Sequence, residues 1–294
     1  MALEPGDIDL VYGIGQLSYD TFARFQNDPR YVTAVSKPVG GLALAVNSGS
    51  GPTAELAVRQ ALQHAADKSA IIKGVLLGTQ ARADSLFSPQ VPYCDIGLEP
   101  YAHDPAKAAA LLDEAGWKLP ENGKYRMKGG QELAVDFCFV GNDAVQKAMG
   151  EVLQAQYARA GIRLNLVGEE EDSFLRRQKD GSFGMIVNAT WGPPFEPHAM
   201  VGSMRHPSHA DYMAQAGLPM KADIDRMIDA VLATTNAEER QALYTDILTT
   251  LHEQAVYLPI FYFAGLSVYK KDSLEGVLFA PGKTKIPFES FTKP

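Results

Sequence analysis

Hydrophobic positions in the middle of the chain change their spacing from strand-like to helix-like within a few residues. Residues 133–139 carry hydrophobic side chains at every second position, which predicts a strand. Residues 145–157 carry them at helical spacing, between an N-cap at Asn142 or Asp143 and a stop at Gly161. We therefore expect a strand that leads directly into a helix.

The same change of spacing repeats downstream. Residues 162–166 alternate as a strand, residues 169–178 predict a short helix, and residues 183–189 form a nearly continuous hydrophobic run. Such a run is typical of a strand that is buried on both faces of a sheet. Three strands that alternate with two helices predict an α/β sheet with crossover connections, in which ligand loops lie beyond the strand ends.

Capping residues mark the ends of further helices. Gly51 opens one helix through the sequence GPT, and Asp104 and Gly116 enclose a second. Asn236 begins another, with Glu239 at the spacing of a capping box. We also expect a turn and a buried strand near the start of the chain, and one or two buried strands in the hydrophobic run that begins at residue 257.

Composition places the chain among packed, water-soluble proteins, because 46% of its 294 residues are hydrophobic and 21% are charged. The net charge of −8 and the scattered basic residues argue against a nucleic-acid groove. No stretch approaches the roughly 20 hydrophobic residues of a membrane span, and the N-terminus shows no signal peptide. We expect no nucleic-acid partner and no membrane insertion.

The two cysteines, Cys94 and Cys138, lie far apart and show no metal-binding spacing such as CxxC. They leave two alternatives open, one disulfide or two buried thiols. Burial is the more usual state of a free cysteine. A structural zinc site has no support from their spacing.

Several segments resemble the peptide/nickel family of extracytoplasmic solute-binding proteins, family 5. These are GDID at 6–9, DPAKAAALLDEAGW at 104–117 and ERQALYTDILTTLHEQAVYLPIFY at 239–262. The segment GEEEDSFLRRQKDGSFGMIVNATWG at 168–192, followed by PHAM and RHPSHAD, is similar to the nickel-binding members of that family. The resemblance runs along nearly the whole chain, but it covers only the later part of a full-length member, so we expect a chain truncated at its N-terminus.

The resemblance implies a two-lobed periplasmic-binding-protein fold of class II, with lobe one incomplete. Residues 1–40 would be the remaining strands of lobe one, residues 41–260 lobe two, and residues 261–294 the return to lobe one. We expect lobe two to pack well. The ends, residues 1–40 and 256–294, should expose hydrophobic surface that lobe-one strands would otherwise cover.

The resemblance also implies a function. Such proteins close their two lobes on a ligand and deliver it to an ABC permease of the inner membrane, without covalent chemistry. The expected cargo is nickel(II) held by a small organic chelator, with histidine as one candidate. The expected location is the periplasm, and the expected state is a monomer.

His209 is the metal ligand that the resemblance implies, because its setting PSHAD matches that of the metal-contacting histidine in the nickel-binding members. The alternative is a histidine in a surface loop. His198, His206 and His209 form no known closed metal pattern, whereas a single imidazole could complete the coordination of a chelated ion. Pro207 disfavours a helical turn shared by His206 and His209, so we expect His206 to be solvated. We expect His198 to be a hydrogen-bonded structural residue.

Four further positions correspond to pocket residues of the family. Trp191 would give a flat hydrophobic wall and one N–H donor, with a core position as its alternative. Thr284 aligns with a polar residue of the return segment, although its sequence also fits an ordinary loop. Phe195 and Leu175 stand where nickel-binding members usually carry tyrosines, which removes hydroxyl groups that could bond the chelator. The family's chelator-binding arginines precede the region of resemblance, so we expect weak binding by this chain.

An enzymatic function is disfavoured. The densest acidic cluster, EEED at residues 169–172, begins a predicted helix, where carboxylates interact favourably with the helix dipole. No GxSxG, P-loop or HExxH motif occurs. Two alternatives to nickel transport stay open: capture of a peptide, heme or another metal chelate on the same fold, and a truncated product that binds nothing.

Overall fold

The computed structural model describes residues 2–190, 197–280 and 286–293, which form an α/β fold. The strands are β1 (Leu10–Gly13), β2 (Tyr31–Val46), β3 (Ala81–Arg82), β4 (Met127–Lys128), β5 (Gln131–Glu132), β6 (Ala134–Val140), β7 (Arg163–Glu169), β8 (Met185–Ala189) and β9 (Tyr257–Lys270). The helices are α1 (Tyr19–Gln26), α2 (Leu56–Ala65), α3 (Lys68–Gly74), α4 (Pro105–Glu114), α5 (Ala144–Arg159), α6 (Glu171–Asp180), α7 (Pro197–Ser203), α8 (Ala210–Gln215), α9 (Lys221–Ala233) and α10 (Ala237–Glu253).

A mixed sheet with the strand order β1-β9-β2-β8-β6-β7 forms the centre of the fold, and β3 pairs with β9. β6 runs parallel to β7 and β8, and α5 and α6 make the crossovers between these strands. The sheet with crossover connections is therefore confirmed. The carboxyl ends of β6, β7 and β8 meet at one edge, where the chain leaves β8 for the segment that carries His198, His206 and His209.

Side chains at the helix ends explain why the boundaries were predictable. Asp143, rather than Asn142, caps α5 by accepting hydrogen bonds from two backbone N–H groups of the first turn. Gly161, with φ of +78°, follows the end of the same helix. Asp104 and Asn236 each accept one backbone N–H bond, at the starts of α4 and α10. All of these predicted ends are confirmed.

The structure corrects the start of the helix after Gly51 and decides between one strand and two in the run from residue 257. The helix expected to open at Gly51 begins instead as a 3₁₀ turn, and α2 starts only at Leu56. The hydrophobic run from residue 257 is one continuous strand. Pro259 is tolerated because it lies at a register shift between β9 and β2, where Leu42 pairs with Phe261 and Ala43 pairs with Pro259. Such irregularities tolerate a residue that has no N–H to donate.

Hydrophobic side chains form two clusters, a large one around β2, β6, β7 and β8 and a small one near the ends of the chain. The small cluster contains Leu3, Leu17, Phe22, Phe25, Tyr31, Leu266 and Val268. The ends thus bury side chains of their own, and β1 pairs along its whole length with β9.

The expectation that the ends expose hydrophobic surface holds only in part, because β9 is almost entirely buried as far as Val268. Other hydrophobic side chains of the ends are exposed. Within the described ranges, these are Ile8, Val35, Leu278, Ile286 and Phe288. Phe288 is 68% exposed and Leu278 is 61% exposed. The boundaries expected at residues 40 and 260 fall inside β2 and β9, and the division into lobes stays a prediction.

Cys94 and Cys138 are both buried and unpaired, so two buried thiols is the correct alternative. Burial raises the pKa of each thiol to about 12. Thiolates are therefore scarce at neutral pH, and neither sulfur is a ready metal ligand. In the part of the chain that the structure describes, no helix is long and hydrophobic enough to cross a membrane.

Candidate functional site

His209 lies immediately before α8, where it is the N-cap residue with extended backbone angles, φ of −108° and ψ of 145°. Residues at this position usually accept an N–H bond from the helix through a side-chain oxygen. The imidazole of His209 makes no such bond, and it is half-buried. The helix start therefore fixes the backbone of His209, while the imidazole makes no capping hydrogen bond.

His206 and His209 are the first and last residues of a turn. The N–H of His209 donates to the carbonyl oxygen of His206 at 3.0 Å, and Pro207 occupies the second position, where a β-turn favours proline. The two imidazole centroids lie 6.1 Å apart, with 54° between the ring planes. The proline that disfavours a helical turn thus builds a different turn, which brings both rings together. His206 is exposed.

A buried carboxylate holds α8 against the sheet. Oδ1 of Asp211 accepts a 2.7 Å hydrogen bond from Nδ2 of Asn188 and a 2.8 Å bond from the hydroxyl of Tyr257. The Tyr257 hydroxyl in turn accepts a 3.0 Å bond from Nε2 of Gln215. Burial raises the pKa of Asp211, and the bonds from Tyr257 and Asn188 partly offset that rise.

The sequence pattern does not predict this network, which holds the helix that His209 begins. Asp211 follows His209 by two residues, and Asn188 lies near the end of β8. A polar Asn188 within an otherwise hydrophobic run was the available signal, because buried polar groups are normally hydrogen-bonded. Its partner could not be named from the pattern alone.

Helix α6 packs against α8 and brings a second predicted position to the same side of the sheet. Leu175 lies on α6 and is 50% exposed, whereas its neighbour Phe174 is buried. Gly181, with φ of +66°, ends α6 beside Met213 of α8. A substitution at Leu175 therefore changes an exposed surface rather than the core.

The acidic cluster at the start of α6 has a structural explanation. Glu169 makes two hydrogen bonds with the Arg177 guanidinium, at 2.5 and 2.8 Å. These bonds lower the pKa of the Glu169 carboxyl. Glu171 and Asp172 lie in the first turn of α6, where the helix dipole favours negative charge.

The remaining candidates are one hydrogen-bonded histidine and three positions outside the described residues. Nδ1 of His198 lies 3.0 Å from the hydroxyl of Tyr244, and the two rings meet edge to face. Trp191, Phe195 and Thr284 lie outside the described residues. The chain is fixed up to that point by Thr190, whose hydroxyl oxygen accepts a 2.6 Å bond from the backbone N–H of Gly41.

Two further observations bear on ligand binding. A cavity of about 680 Å³ is lined by residues from the segments 14–20, 74–80, 143–148 and 263–266, and none of its lining residues is a histidine. In the described part of the chain, no three or more His, Cys, Asp or Glu residues are grouped so as to hold a metal ion. Among the predicted ligand histidines, the structure brings His206 and His209 close together.

Comparison with known families identifies the chain. Residues 1–212 match the family described as bacterial extracellular solute-binding proteins, family 5 Middle. The chain belongs to this family. The family consists of solute-binding proteins, and the match covers the parallel strands β6, β7 and β8 with their crossovers and the turn that carries His206 and His209.

Individual relatives agree with this assignment. The chain is 51% identical over 98% of its length to the nickel-binding periplasmic protein of Escherichia coli (strain K12). It is 26% identical over 83% of its length to heme-binding protein A of Haemophilus influenzae. The crystal structure of NikA from Brucella suis in complex with Fe(III)-EDTA matches the whole chain with a TM-score of 0.97 and 52% identity. The predicted family and the binding-protein fold are thereby confirmed.

The chain covers only part of each relative. It spans 55% of the Escherichia coli protein, 43% of the Haemophilus influenzae protein and 59% of the Brucella suis chain. What these longer proteins bind and assemble with is therefore a basis for proposals about this chain.

Proposed function

We propose that this chain carries the metal-chelate site of an ABC-importer solute-binding protein, which captures nickel(II) as an organic chelate and delivers it to a membrane permease. The observation that carries the proposal is the position of His209. Its imidazole is half-buried and unused by the helix that it begins, and that helix is held against β8 by the buried network around Asp211. The 51% identity to the nickel-binding periplasmic protein supports nickel as the metal.

The chemistry follows from one accessible imidazole. A neutral ring nitrogen is a good ligand for nickel(II), and a small chelator supplies the other donors. Because each additional protein–metal bond slows release, a metal that must be transferred to a permease is better bound by few protein ligands. Histidine is one chelator that this proposal includes.

The proposed pocket extends from His209 to the other positions that resemble family pocket residues. Trp191 and Phe195 would contact the organic part of the chelate, and Thr284 would approach from the return segment. Leu175 presents an exposed hydrophobic side chain on α6, where a tyrosine would offer a hydroxyl group. We propose that this difference weakens hydrogen bonding to chelator carboxylates.

The partners are those of an importer component. The small metal chelate is the cargo, an inner-membrane ABC permease is the receiving partner, and the periplasm is the compartment. Binding and delivery involve no covalent step, so the protein is not expected to act as an enzyme. We propose a monomer as the working state.

Isothermal titration calorimetry tests this function. The purified chain is titrated with nickel alone, with nickel plus excess histidine, with heme and with a dipeptide, and the His209→Ala variant is titrated alongside. We expect micromolar binding of the nickel–histidine complex that His209→Ala abolishes. Absence of chelate binding, or saturable binding of heme or dipeptide in its place, would overturn the proposal.

A further inference from the structure

We propose that His206 and His209 bind the metal together, so that the cargo is a nickel chelate with two coordination positions left for the protein. This inference rests on the proposed function and specifies the chelator class for the same site. The observation that supports it is the turn that joins His206 and His209.

The turn brings the Cα atoms of His206 and His209 close together. The 3.0 Å hydrogen bond from the N–H of His209 to the oxygen of His206 closes a four-residue turn, which keeps its first and last Cα atoms within about 7 Å. Pro207 has a fixed φ and restricts the backbone angles of His206, so few conformations are open to the turn. Ordering His206 for metal binding therefore costs little backbone entropy.

The two rings lie close enough to reach a shared ion. An imidazole nitrogen binds a first-row metal at about 2 Å, so two rings on adjacent positions of one ion have centroids roughly 4.5 Å apart. The observed separation between the centroids is 6.1 Å. Because His206 is exposed, rotation of its side chain can close this difference.

The charges around the pair also suit a cation. Arg205 precedes His206, but its guanidinium forms an ion pair with Asp229. The ammonium group of Lys221 is held by Asp225 at 2.6 Å. The neighbouring basic groups are thus each paired with a carboxylate.

A two-imidazole site selects among chelates by the number of free positions. A chelator that fills every position of the ion leaves no place for a protein nitrogen. A chelator with fewer donors leaves room for both rings, and each ring then adds to the affinity. We infer that incompletely chelated nickel binds more tightly than fully chelated nickel, and that His206 is responsible for part of the difference.

X-ray absorption spectroscopy at the nickel edge counts the imidazoles directly. The untagged 294-residue chain is loaded with nickel iminodiacetate, whose chelator carries no imidazole, and compared with His206→Gln, His209→Ala and the control His103→Gln. His103 is also an exposed histidine, but it lies near Asp67 before α4. We expect two imidazoles per nickel in the wild-type chain and in His103→Gln, and one in His206→Gln.

Affinity for nickel iminodiacetate should fall in step with the imidazole count. We expect His206→Gln to weaken binding about tenfold or more, since even outer-shell partners of metal sites are worth about 10- to 100-fold. An unchanged count and affinity in His206→Gln would overturn the shared site. That result is distinguishable from failure of the proposed function, in which the wild-type chain itself binds no nickel–histidine complex.

Discussion

The hydroxyl of Tyr257 donates a 2.8 Å hydrogen bond to the carboxylate of Asp211, which lies in the first turn of α8. Asn188 of β8 donates to the same oxygen, so two strands and one helix meet at a single buried carboxylate. His209 is the residue from which α8 starts. The placement of the candidate metal ligand therefore depends on contacts made in the core.

Removing the Tyr257 hydroxyl should destabilise the fold. In Tyr257→Phe, Asp211 loses one of its two side-chain donors and the amide of Gln215 loses its acceptor, all in a buried setting. We expect a loss of about 1–3 kcal/mol in the free energy of unfolding, measured by urea denaturation. The same variant should weaken nickel–chelate binding, because α8 is less firmly held.

A second tyrosine of the same strand provides the control. Tyr269 is only half-buried and lies at the far end of β9 from Tyr257. Tyr269→Phe should change the unfolding free energy by no more than about 0.5 kcal/mol. Equal effects of the two substitutions would contradict the role assigned to the Asp211 network.

Restoring a hydroxyl on α6 should improve chelate binding. Leu175 is 50% exposed, so Leu175→Tyr requires no repacking of the core. One added hydrogen bond to a chelator carboxylate is worth about 0.5–1.5 kcal/mol, which predicts a gain in affinity of about twofold to tenfold. Leu119→Tyr, at another 50% exposed leucine, should have no effect in the same calorimetric titration. A gain in both variants, or in neither, would count against a pocket that includes Leu175.

Close packing of α5 on the sheet makes Gly150 sensitive to substitution. A Cβ at Gly150 would lie 2.7 Å from Cε1 of Phe137 and 3.1 Å from Cδ2 of Leu166. Overpacking of this kind costs about 1–3 kcal/mol, which outweighs the gain of about 1 kcal/mol in helix propensity. We expect Gly150→Ala to lower the melting temperature. Gly74→Ala, in α3 with no atom within 4 Å of the added Cβ, should leave it unchanged or raise it.

The Glu169–Arg177 ion pair predicts a pH dependence with a defined sign. The pKa of Glu169 is lowered from its usual 4.5, mainly by the hydrogen bonds from Arg177. The unfolded chain therefore binds the proton more readily, and the stability from the pair is present above about pH 4.5 and lost as the pH falls through the folded-state pKa. We expect part of the decrease in unfolding free energy between about pH 6 and pH 3.5 to disappear in Glu169→Gln. Arg177→Gln should remove the same part, and an unchanged pH profile in either variant would contradict this assignment.

Much of the fold could be predicted because its signals are local. The N-cap at Asp143 and the glycine stop at Gly161 are set by residues a few positions apart, and the strand pattern before them needs no distant partner. The 3₁₀ turn after Gly51 was not expected, because the sequence GPT fits the start of either helix type. The uninterrupted β9 depends on a register shift in β2, which is a tertiary feature.

The candidate site was only partly predictable, for a similar reason. The sequence around His209 identifies it as a candidate ligand, but no local pattern predicts the hydrogen bonds around Asp211 that hold its helix. Tyr257 lies 46 residues from Asp211, and no local pattern pairs them. Pro207 disfavours a helical turn and so argues against a site shared by His206 and His209, but a β-turn accepts proline at its second position. In the structure the same proline forms a β-turn that joins them.

Anomalous diffraction at the nickel edge tests the central claim most directly. Crystals of the chain grown with the nickel–histidine complex should show a nickel peak about 2.1 Å from an imidazole nitrogen of His209, which is the usual length of a metal–imidazole bond. The peak should disappear in crystals of His209→Ala. A nickel peak bound elsewhere, with none at His209 in the wild-type chain, would contradict the account.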